Sequence, residues 1–531
     1  MTGQERTSPM YYGELQTLDA TVAFHARNRP DQVAIRCEDR EVTYAQLHRG
    51  SNRIARALRA AGAGPGARVV YLGRDSEHYY RLLFACAKAE TVLVPVNWRL
   101  TAGETEHVLR DSGAHLVFAE RDFLTVVKEA GKDLAAPPEV IAVTASDPDG
   151  GLDDWARDAS AEDIDGTADP DRPIVQMYTS GTTGLPKGVV LAHRSFYAVR
   201  DALAGADLDW IDWREGDVSL LGVPGFHIGG LWWALQGFHA GITNVALRTF
   251  TSADAVRLVR EHRVTTMCVV PAMLQMMLAE RAVTDADFAS VRKVVYGGSP
   301  IGERLLAEAI ERIGCEFAQI YGLTESGNTA VCLPPSEHVA GGPRMTAAGR
   351  PYPGFALMIK DDAGNPLPAR EIGEVWIRTP GHLLEYWGQP EATAETLVDG
   401  WLRTGDAGYL DEEGFLFICD RIKDTIIVAG ENVYPAEVEN ALGKHPAVTE
   451  AAVVGVPDER WGEAVHAFVV LAPGAEASAR ELTVFLSGRL AGFKTPTSYE
   501  YVDRLPRNAS GKILRRQLRD SFWQDAARKV N

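Results

Sequence analysis

The chain reads YTSGTTGLPKG over residues 178–188, directly after an apolar run at 173–177. Three glycines in this string let backbone N–H groups approach an anion closely, and its four Ser and Thr hydroxyls add further donors. Lys187 supplies a positive charge suited to phosphate oxygens. A flexible Ser/Gly loop is the alternative interpretation. The lysine within the glycine-rich run favours a phosphate-binding loop that follows a β-strand.

The order of residues differs from that of a Walker loop. In a Walker loop glycine, lysine and a Ser or Thr are consecutive, whereas Lys187 lies between Pro186 and Gly188. The chain also shows no GxGxxG string after a predicted strand, which is the pattern of dinucleotide-binding folds. We therefore expect phosphate chemistry of another kind.

Short apolar runs alternate with amphipathic stretches on both sides of this loop. The pattern predicts helices at 45–61 and 78–88 and strands at 42–44, 68–72, 91–95, 218–223, 245–247, 266–270 and 293–296. Alternating strand and helix periods predict parallel βαβ units. The segment 145–171 is rich in Asp, Gly and Ala, and is predicted to be a surface connection.

The sequence pattern changes beyond Gly354, from alternating strands and helices to short strands. Short strands are predicted at 356–359, 373–378 and 415–418, separated by Gly, Asp and Pro turns, which indicates a smaller β-rich subdomain. After Asp420 a final αβ portion of about 110 residues is long enough to fold on its own.

Composition excludes several classes of protein. With 531 residues, the chain is expected to form more than one core. A net charge of −18 disfavours a nucleic-acid partner, because binding phosphates normally needs a basic surface. The six cysteines show no CxxC pairing, which argues against a zinc site or a disulfide framework and fits a reducing cytoplasm. No signal peptide and no membrane span is expected.

The string at 178–189 resembles the signature of the adenylate-forming superfamily: acyl-CoA and aryl-CoA synthetases, luciferases and adenylation domains of peptide synthetases. The resemblance extends over roughly residues 42–516. Further motifs follow in the family's order: FHIGG at 226–230, YGGSP at 296–300, QIYGLTE at 319–325, GEVWIR at 373–378, WLRTGD at 401–406, DRIKD at 420–424, GENVYPAEVE at 430–439 and PRNASGKILRR at 506–516. The string LLEYWGQPEAT at 383–393 is most similar to bacterial fatty-acyl-CoA synthetases.

The resemblance implies an α/β fold with two domains. A large N-terminal domain at 1–419 would contain parallel-sheet αβ subdomains and a small β-barrel-like subdomain. A small, mobile α+β C-terminal domain would span 420–531 and rotate about a hinge at Asp420. The implied reaction joins a carboxylic acid to the α-phosphate of ATP, expels pyrophosphate, and passes the acyl group to coenzyme A.

The resemblance also assigns roles in the first half-reaction. Lys187 and the loop hydroxyls would hold the β- and γ-phosphates, and Thr324 would bond to the α-phosphate. Glu325 would bind Mg²⁺, a cation that prefers carboxylate and phosphate oxygens. Lys512 would bring the acid carboxylate to the anionic phosphate, which requires a cation. The implied ATP- and AMP-binding residues are Thr179, Ser180, Gly181, Thr182, Thr183, Gly184, Lys187, Gly298, Ser299, Pro300, Gln319, Tyr321, Gly322, Thr324, Asp406, Arg421 and Lys512.

Tyr321 would stack on adenine, while Asp406 and Arg421 would contact the ribose. His227 would lie beside the acid and contribute to catalysis, at a position where amino-acid-activating domains carry an Asp. An α-amino acid would therefore lack its ion-pair partner, and medium-chain fatty acids and aryl acids both stay open. The implied acid pocket comprises His227, Gly229, Trp232, Trp233, Ala272, Gly297 and Cys332. The two tryptophans could instead lie in the core.

The implied acceptor site consists of Asp420, Gly430 and Glu431, where a glycine leaves room for a thiol arm. Ala429 replaces the first glycine of a pair that is common in acyl-CoA synthetases. A carrier-protein thiol, an amine or another small nucleophile are alternative acceptors. A non-catalytic nucleotide-binding protein is disfavoured because Lys187, Glu325, Asp406 and Lys512 are all present. A homodimer stays open.

Overall fold

The computed structural model describes residues 10–143, 151–164, 169–179, 185–339, 341–458, 460–507 and 513–523. The helices are α1 Leu18–Asn28, α2 Tyr44–Ala60, α3 Glu77–Ala89, α4 Ala102–Ser112, α5 Leu124–Gly131, α6 Leu152–Trp155, α7 Arg194–Gly205, α8 Ile228–Ala240, α9 Ser252–Glu261, α10 Pro271–Leu278, α11 Glu303–Ile313, α12 Pro390–Thr396, α13 Pro435–Gly443, α14 Ala479–Leu486 and α15 Arg515–Trp523.

Strands alternate with these helices along most of the chain. They are β1 Val33–Cys37, β2 Arg40–Thr43, β3 Arg68–Leu72, β4 Val92–Val96, β5 Leu116–Glu120, β6 Glu139–Val143, β7 Pro173–Thr179, β8 Lys187–Ala192, β9 Val218–Leu221, β10 Thr243–Ala246, β11 Thr266–Val269, β12 Lys293–Gly297, β13 Glu316–Tyr321, β14 Val331–Leu333, β15 Arg350–Pro351, β16 Ala356–Lys360, β17 Gly373–Arg378, β18 Glu385–Tyr386, β19 Leu397–Val398, β20 Trp401–Leu410, β21 Leu416–Arg421, β22 Ile426–Val428, β23 Glu431–Val433, β24 Val448–Asp458, β25 Gly462–Leu471 and β26 Ser498–Tyr501.

Two large mixed sheets build the N-terminal part of the chain. The first sheet, sheet A, runs in the order β15-β14-β13-β12-β11-β9-β10-β1-β2, and the second, sheet B, in the order β18-β8-β7-β4-β3-β5-β6. The central strands of both sheets pair in parallel. Every residue of β4, β5 and β12 is buried. Continuous apolar strands of this kind are expected where helices cover both faces of a parallel sheet.

Helices α3 and α8 form the layer through which the two sheets pack. Every residue of α3 except Arg81 is buried, as is all of α8 from Gly230 onward. The Phe84 ring of α3 lies edge-on to the Phe238 ring of α8, with 5.3 Å between centroids, and Tyr80 lies 5.1 Å from the same ring. Because nearly every residue of α3 and of α8 beyond Ile228 and Gly229 is buried, these two helices are enclosed by the rest of the fold and fix how the sheets meet.

Two smaller sheets follow. A third sheet is antiparallel and pairs β16, β17, β20 and β19 in that order, with β21 also on β20. It corresponds to the β-rich subdomain predicted beyond Gly354. A fourth sheet, β23-β22-β25-β24 with β26 on β25, has its own core with α13 and α14. The predicted α/β class, with a large N-terminal part and a smaller C-terminal part, is confirmed. A boundary at Asp420 and mobility of the C-terminal part stay predictions.

One prediction about the chain's surface was wrong in part. The segment 145–171 was expected to be a surface connection, yet its described residues include α6, with Leu152 fully buried and Ala156 only 2% exposed. The Trp155 ring lies edge-on to Phe118 at 5.0 Å. Isolated apolar residues within a polar segment are sufficient to dock it on the core. Over the described ranges, no helix combines the length and apolar character needed to cross a membrane.

Gly349 is a point where only glycine fits. Its φ is +120°, and a Cβ there would lie 2.1 Å from the carbonyl carbon of Cys332. Its carbonyl accepts the Leu416 N–H, which ties sheet A to the third sheet. We predict that Gly349→Ala lowers the free energy of unfolding by about 3 kcal/mol, because backbone atoms cannot move aside as a flexible side chain would.

Gly354→Ala is the matched control for urea denaturation of both variants. Gly354 also has a positive φ, +79°, but apart from its two chain neighbours none of the described residues lies within 4 Å of its Cβ position. Its substitution should cost only the conformational strain of about 1 kcal/mol. Equal losses in the two variants would contradict the assigned close contact.

Candidate active site

The nucleotide end of the candidate site is organised around one buried carboxylate. Tyr321 ends β13, and its hydroxyl donates to Asp406 Oδ2 at 2.6 Å. Arg421 Nε lies 2.6 Å from Asp406 Oδ1, since Asp406 and Arg421 face each other across β20 and β21. Burial and the adjacent carboxylate hold the pKa of Tyr321 well above its ordinary value. Tyr321 therefore stays a neutral donor, and each Asp406 oxygen keeps a lone pair with which it can accept a ribose hydroxyl.

The phosphate end is organised around Glu325. This residue lies in the short helical turn Thr324–Ser326, and its Oε1 accepts the Tyr386 hydroxyl at 2.8 Å. Tyr386 belongs to β18, which pairs with β8, and Lys187 at the start of β8 places Nζ 5.0 Å from the centre of the Tyr386 ring. Burial and Glu325 raise the pKa of Tyr386. One aromatic ring thus stands between a carboxylate and a lysine, all near the same ends of sheets A and B.

Close backbone packing holds Glu325 near Tyr321. A Cβ on Gly322 would lie 2.4 Å from the carbonyl oxygen of Asn328, so the chain can turn here only with glycine. The Leu383 N–H donates to the carbonyl oxygen of Glu325 at 2.7 Å, which fixes the turn to the segment leading into β18. The two ends of the site are therefore four residues apart in sequence and rigidly related.

His227 lies on the other side of the site, at the N-terminus of α8. The preceding loop is held by Asp75, whose oxygens accept the Gly225 N–H at 3.1 and 3.0 Å, and by Tyr79, whose hydroxyl donates to Gly225 O at 2.8 Å. Burial, with Arg99 nearby, lowers the pKa of His227 to about 4, so the ring is neutral at pH 7. Its Nε2 is buried and has no hydrogen-bond partner among the residues described.

Asn328 was missed by sequence reasoning. Its side chain is 8% exposed, its Nδ2 has no hydrogen-bond partner in the described part of the chain, and its φ is +93°. Its Oδ1 lies 3.7 Å from the Cβ position of Gly229, two residues after His227. The motif QIYGLTE ends before Asn328, and no spacing rule marks it. Asp75, Tyr79 and Tyr386 were missed for the same reason, because only the fold brings them to the site.

Several predicted residues lie at the ends of strands in sheets A and B. Gly297 ends β12, and Gln319 faces Tyr296 across β12 and β13. In β7, Thr179 faces Lys187 of β8. The remaining predicted residues near these strand ends are Gly298, Ser299 and Pro300, directly after β12, and Ala272, in the first turn of α10. Residues Ser180, Gly181, Thr182, Thr183, Gly184 and Lys512 lie outside the described residues.

The structure places three predicted pocket residues in the protein interior. Trp232 and Trp233 are 1% and 2% exposed, and the Trp233 ring packs on Trp213 at 4.7 Å. Cys332 is fully buried in β14, opposite Ile320. Nothing tests whether these residues contact an acid, and their place in the pocket stays a prediction.

The predicted hinge and acceptor residues lie where sheet three meets the C-terminal part. Asp420 Oδ1 accepts the Arg421 N–H at 2.7 Å, and its Oδ2 accepts the Ala436 N–H at 2.9 Å at the start of α13. Gly430, with φ +87°, and Glu431 form the turn and first strand residue between β22 and β23. Asp420, in β21 of the third sheet, thus binds the start of α13 through its carboxylate.

Comparison with known proteins agrees with this geometry. The AMP-binding enzyme model matches residues 22–387, and the AMP-binding enzyme C-terminal domain model matches residues 437–512. The fatty acid–acyl-carrier-protein ligase ScoC of Streptomyces coeruleorubidus is 61% identical over 98% of this chain and 99% of its own length. A feruloyl-CoA synthase of an Amycolatopsis species is 38% identical, covering 94% of this chain and 97% of its own.

Solved structures of the same family share the fold of this chain. The anthranilate CoA ligase AuaEII, in complex with anthranoyl-AMP, superposes with a TM-score of 0.87 at 27% identity, and the match covers 98% of this chain and 99% of that one. The family models, the relatives and the shared fold agree with the motifs identified in the sequence. The chain belongs to the AMP-binding enzyme family and is an adenylate-forming acid ligase.

Proposed function

We propose that the protein activates a fatty acid with ATP and passes the acyl group from the acyl-adenylate to the phosphopantetheine thiol of a separate carrier protein. The observation that carries the acceptor is the 61% identity, over nearly the full length of both chains, to a ligase that acts on a carrier protein. Coenzyme A is the second candidate. It is favoured by a CoA-forming relative at 38% identity and by the glycine at position 430.

The chemistry of the first step fits the described residues. ATP and a carboxylate are both anionic, so the site must hold like charges together. Lys187 would contact the terminal phosphates. Glu325 would hold Mg²⁺ together with phosphate oxygens, because Mg²⁺ is commonly bound by one or two carboxylates plus substrate phosphates. The hydrogen bond from Tyr386 is to Oε1, and among the described residues no side-chain hydrogen bond to Oε2 competes with such a role. When bound, the ion would neutralise charge on the leaving pyrophosphate.

The acid would lie between His227 and Asn328. Each presents a buried nitrogen that lacks a hydrogen-bond partner within the described ranges. A buried polar group without a partner costs about 1–3 kcal/mol, and a bound carboxylate or acyl carbonyl would remove that cost at Asn328. Because His227 is neutral, it can donate or accept one hydrogen bond without adding a charge. The lack of a cation or carboxylate at these two positions favours an acid with no charged group near its carboxyl end.

The face around Gly430 supports a protein acceptor. Ile427 and Trp461 are 46% and 42% exposed, and the Ala429 N–H donates to Trp461 O at 2.8 Å, which places both beside Gly430. Arg460 stacks on the Trp461 ring at 4.3 Å. Exposed aromatic and arginine side chains are enriched where proteins bind proteins.

The acceptor is tested by offering both thiols in one reaction. With ATP, Mg²⁺ and fatty acids of increasing length, we predict acid-dependent pyrophosphate release. We further predict that holo carrier protein is acylated at least about tenfold faster than an equal concentration of coenzyme A, a difference of about 1.4 kcal/mol in transition-state binding. Mass spectrometry of both products gives the ratio. Apo carrier protein, which lacks the thiol arm, is the control, and faster acylation of coenzyme A would overturn the assignment.

Lys512 separates the two half-reactions. By resemblance it contacts the reacting carboxylate and phosphate only during adenylation. We predict that Lys512→Ala slows pyrophosphate release by roughly 10²–10³-fold, the usual loss when one charge-stabilising donor is removed. Thioester formation from supplied acyl-adenylate should change little. Arg516→Ala is the matched control, since Arg516 is exposed and pairs with Asp520 at 3.2 Å. Equal slowing of both half-reactions would contradict the role.

Tyr386→Phe tests the carboxylate at the phosphate end. The variant keeps the ring beside Lys187 and removes the hydroxyl that orients Glu325. We predict that the Mg²⁺ concentration for half-maximal pyrophosphate release rises about fivefold, since losing one hydrogen bond to a charged group typically costs over 1 kcal/mol. Tyr409→Phe, at a tyrosine stacked on Phe417 in sheet three, is the control. An unchanged Mg²⁺ requirement in Tyr386→Phe would argue against Glu325 as the Mg²⁺ ligand.

A further inference from the structure

Helix α4 contacts both strands that carry the predicted phosphate-binding residues. His107 Nε2 lies 2.9 Å from the carbonyl oxygen of Pro186, directly before Lys187. A carbonyl only accepts, so His107 Nε2 carries the hydrogen. Asp111 Oδ2 accepts the Tyr178 hydroxyl at 2.6 Å, directly before Thr179. His107 and Asp111 are four residues apart and therefore share one face of the helix.

Further bonds hold Tyr178 and Asp111 in place. Gln176 Nε2 donates to the Tyr178 hydroxyl at 2.9 Å, so the tyrosine hydrogen is directed to Asp111. Burial and Asp111 raise the pKa of Tyr178, which stays a neutral donor. Trp387 Nε1 donates to the carbonyl of Asp111 at 3.0 Å, and the Trp387 N–H donates to Gly188 O at 2.8 Å. The guanidinium of Arg68 lies 3.4 Å from the centre of the Trp387 ring.

These contacts act one residue away from the predicted phosphate ligands. Thr179 and Lys187 face each other across β7 and β8, and α4 holds the residue before each of them. A displacement of about 1 Å in a group that contacts reacting atoms can cost roughly two orders of magnitude in rate. The bond from His107 ends on a backbone carbonyl rather than in the core. Because Pro186 directly precedes Lys187, this hydrogen bond restricts the position of Lys187.

Helix α4 does not need His107 in order to fold. Thr101 and Glu104 form a complete capping box at its N-terminus, Gly113 ends it with φ +64°, and Val108 and Leu109 are buried in the core. Substituting His107 should therefore leave the helix in place. Helix α4 can therefore position the segment around Pro186 without depending on the hydrogen bond from His107 for its own stability.

We propose that His107 and Asp111 are positioning residues, which hold Pro186 and Tyr178 so that Lys187 and Thr179 meet the β- and γ-phosphates of ATP. The proposal rests on the proposed function insofar as it takes Lys187 as a ligand of those phosphates. Binding of ATP depends on α4, whereas binding of AMP, which lacks the terminal phosphates, does not.

The experiment compares ATP and AMP affinities of the full chain by calorimetry, with Mg²⁺ and without acid. His107→Phe keeps the ring volume and removes the donor, whereas His107→Gln restores an N–H. We expect His107→Phe to weaken ATP binding about tenfold and AMP binding less than about twofold. The variant loses one hydrogen bond to Pro186, and the resulting shift of Lys187 would affect only the contacts with the terminal phosphates. His107→Gln should return ATP affinity to within about threefold of the wild type.

Two further variants complete the test. Tyr178→Phe removes the hydroxyl that binds Asp111 and should reproduce the ATP-selective loss. Arg110→Ala, on an exposed residue of the same helix that pairs with Glu106, should change neither affinity. Unchanged ATP affinity in His107→Phe and Tyr178→Phe, or equal losses for ATP and AMP, would overturn the proposal. A wild-type protein that binds ATP but releases no pyrophosphate with any acid would contradict the proposed function instead, and leave this comparison of nucleotides intact.

Discussion

The Asp406 carboxylate is the interaction on which the geometry of the site depends. It accepts the hydroxyl of Tyr321 from sheet A and faces the guanidinium of Arg421 within sheet three. Since Asp406 is only 4% exposed, its charge is stabilised by these partners rather than by water. Removing Arg421 would leave the buried carboxylate with the hydrogen bond from Tyr321 but without this counter-charge. The pair of bonds thus fixes two separate sheets in one relative position.

A second carboxylate extends this arrangement to sheet B. Glu325 follows Tyr321 by four residues and accepts the hydroxyl of Tyr386, whose strand lies beside the strand of Lys187. Ligand sites in open parallel sheets form at the carboxyl ends of the strands, where loops can turn inward. Here the ends of two such sheets face each other. Anionic and cationic groups therefore meet in the space between them, as a reaction between two anions requires.

The site leaves polar groups without partners that an ordinary core would satisfy. His227 Nε2 and Asn328 Nδ2 are both buried, and neither has a partner in the portion of the chain that is described. A substrate bound there, as proposed, would remove this cost. The buried indole N–H groups of Trp232 and Trp233 also have no hydrogen-bond partner among the described residues, and nothing in the structure explains why.

The sequence by itself determined the class of fold and the family, and it predicts the residues of the nucleotide site. Strands such as β3 and β17 have the predicted bounds, because continuous or alternating apolar patterns are local properties of the chain. The glycine-rich motif at 178–188 and the motifs that contain Tyr321 and Asp406 are each contiguous in sequence. Contiguous motifs can be compared directly with the sequence motifs of a known family.

Tertiary structure alone decided which distant residues support those motifs. Asp75 holds the loop before His227, Tyr386 binds Glu325, and His107 contacts Pro186. Asn328 was identified only from the structure, where its side chain is buried near Gly229 and its nitrogen lacks a partner among the described residues. Each of these contacts joins residues whose separation in sequence follows no period or spacing rule. The contacts of Asp75 and Tyr386 are set by how sheets A and B pack through α3 and α8, and the contact of His107 by how α4 packs on sheet B.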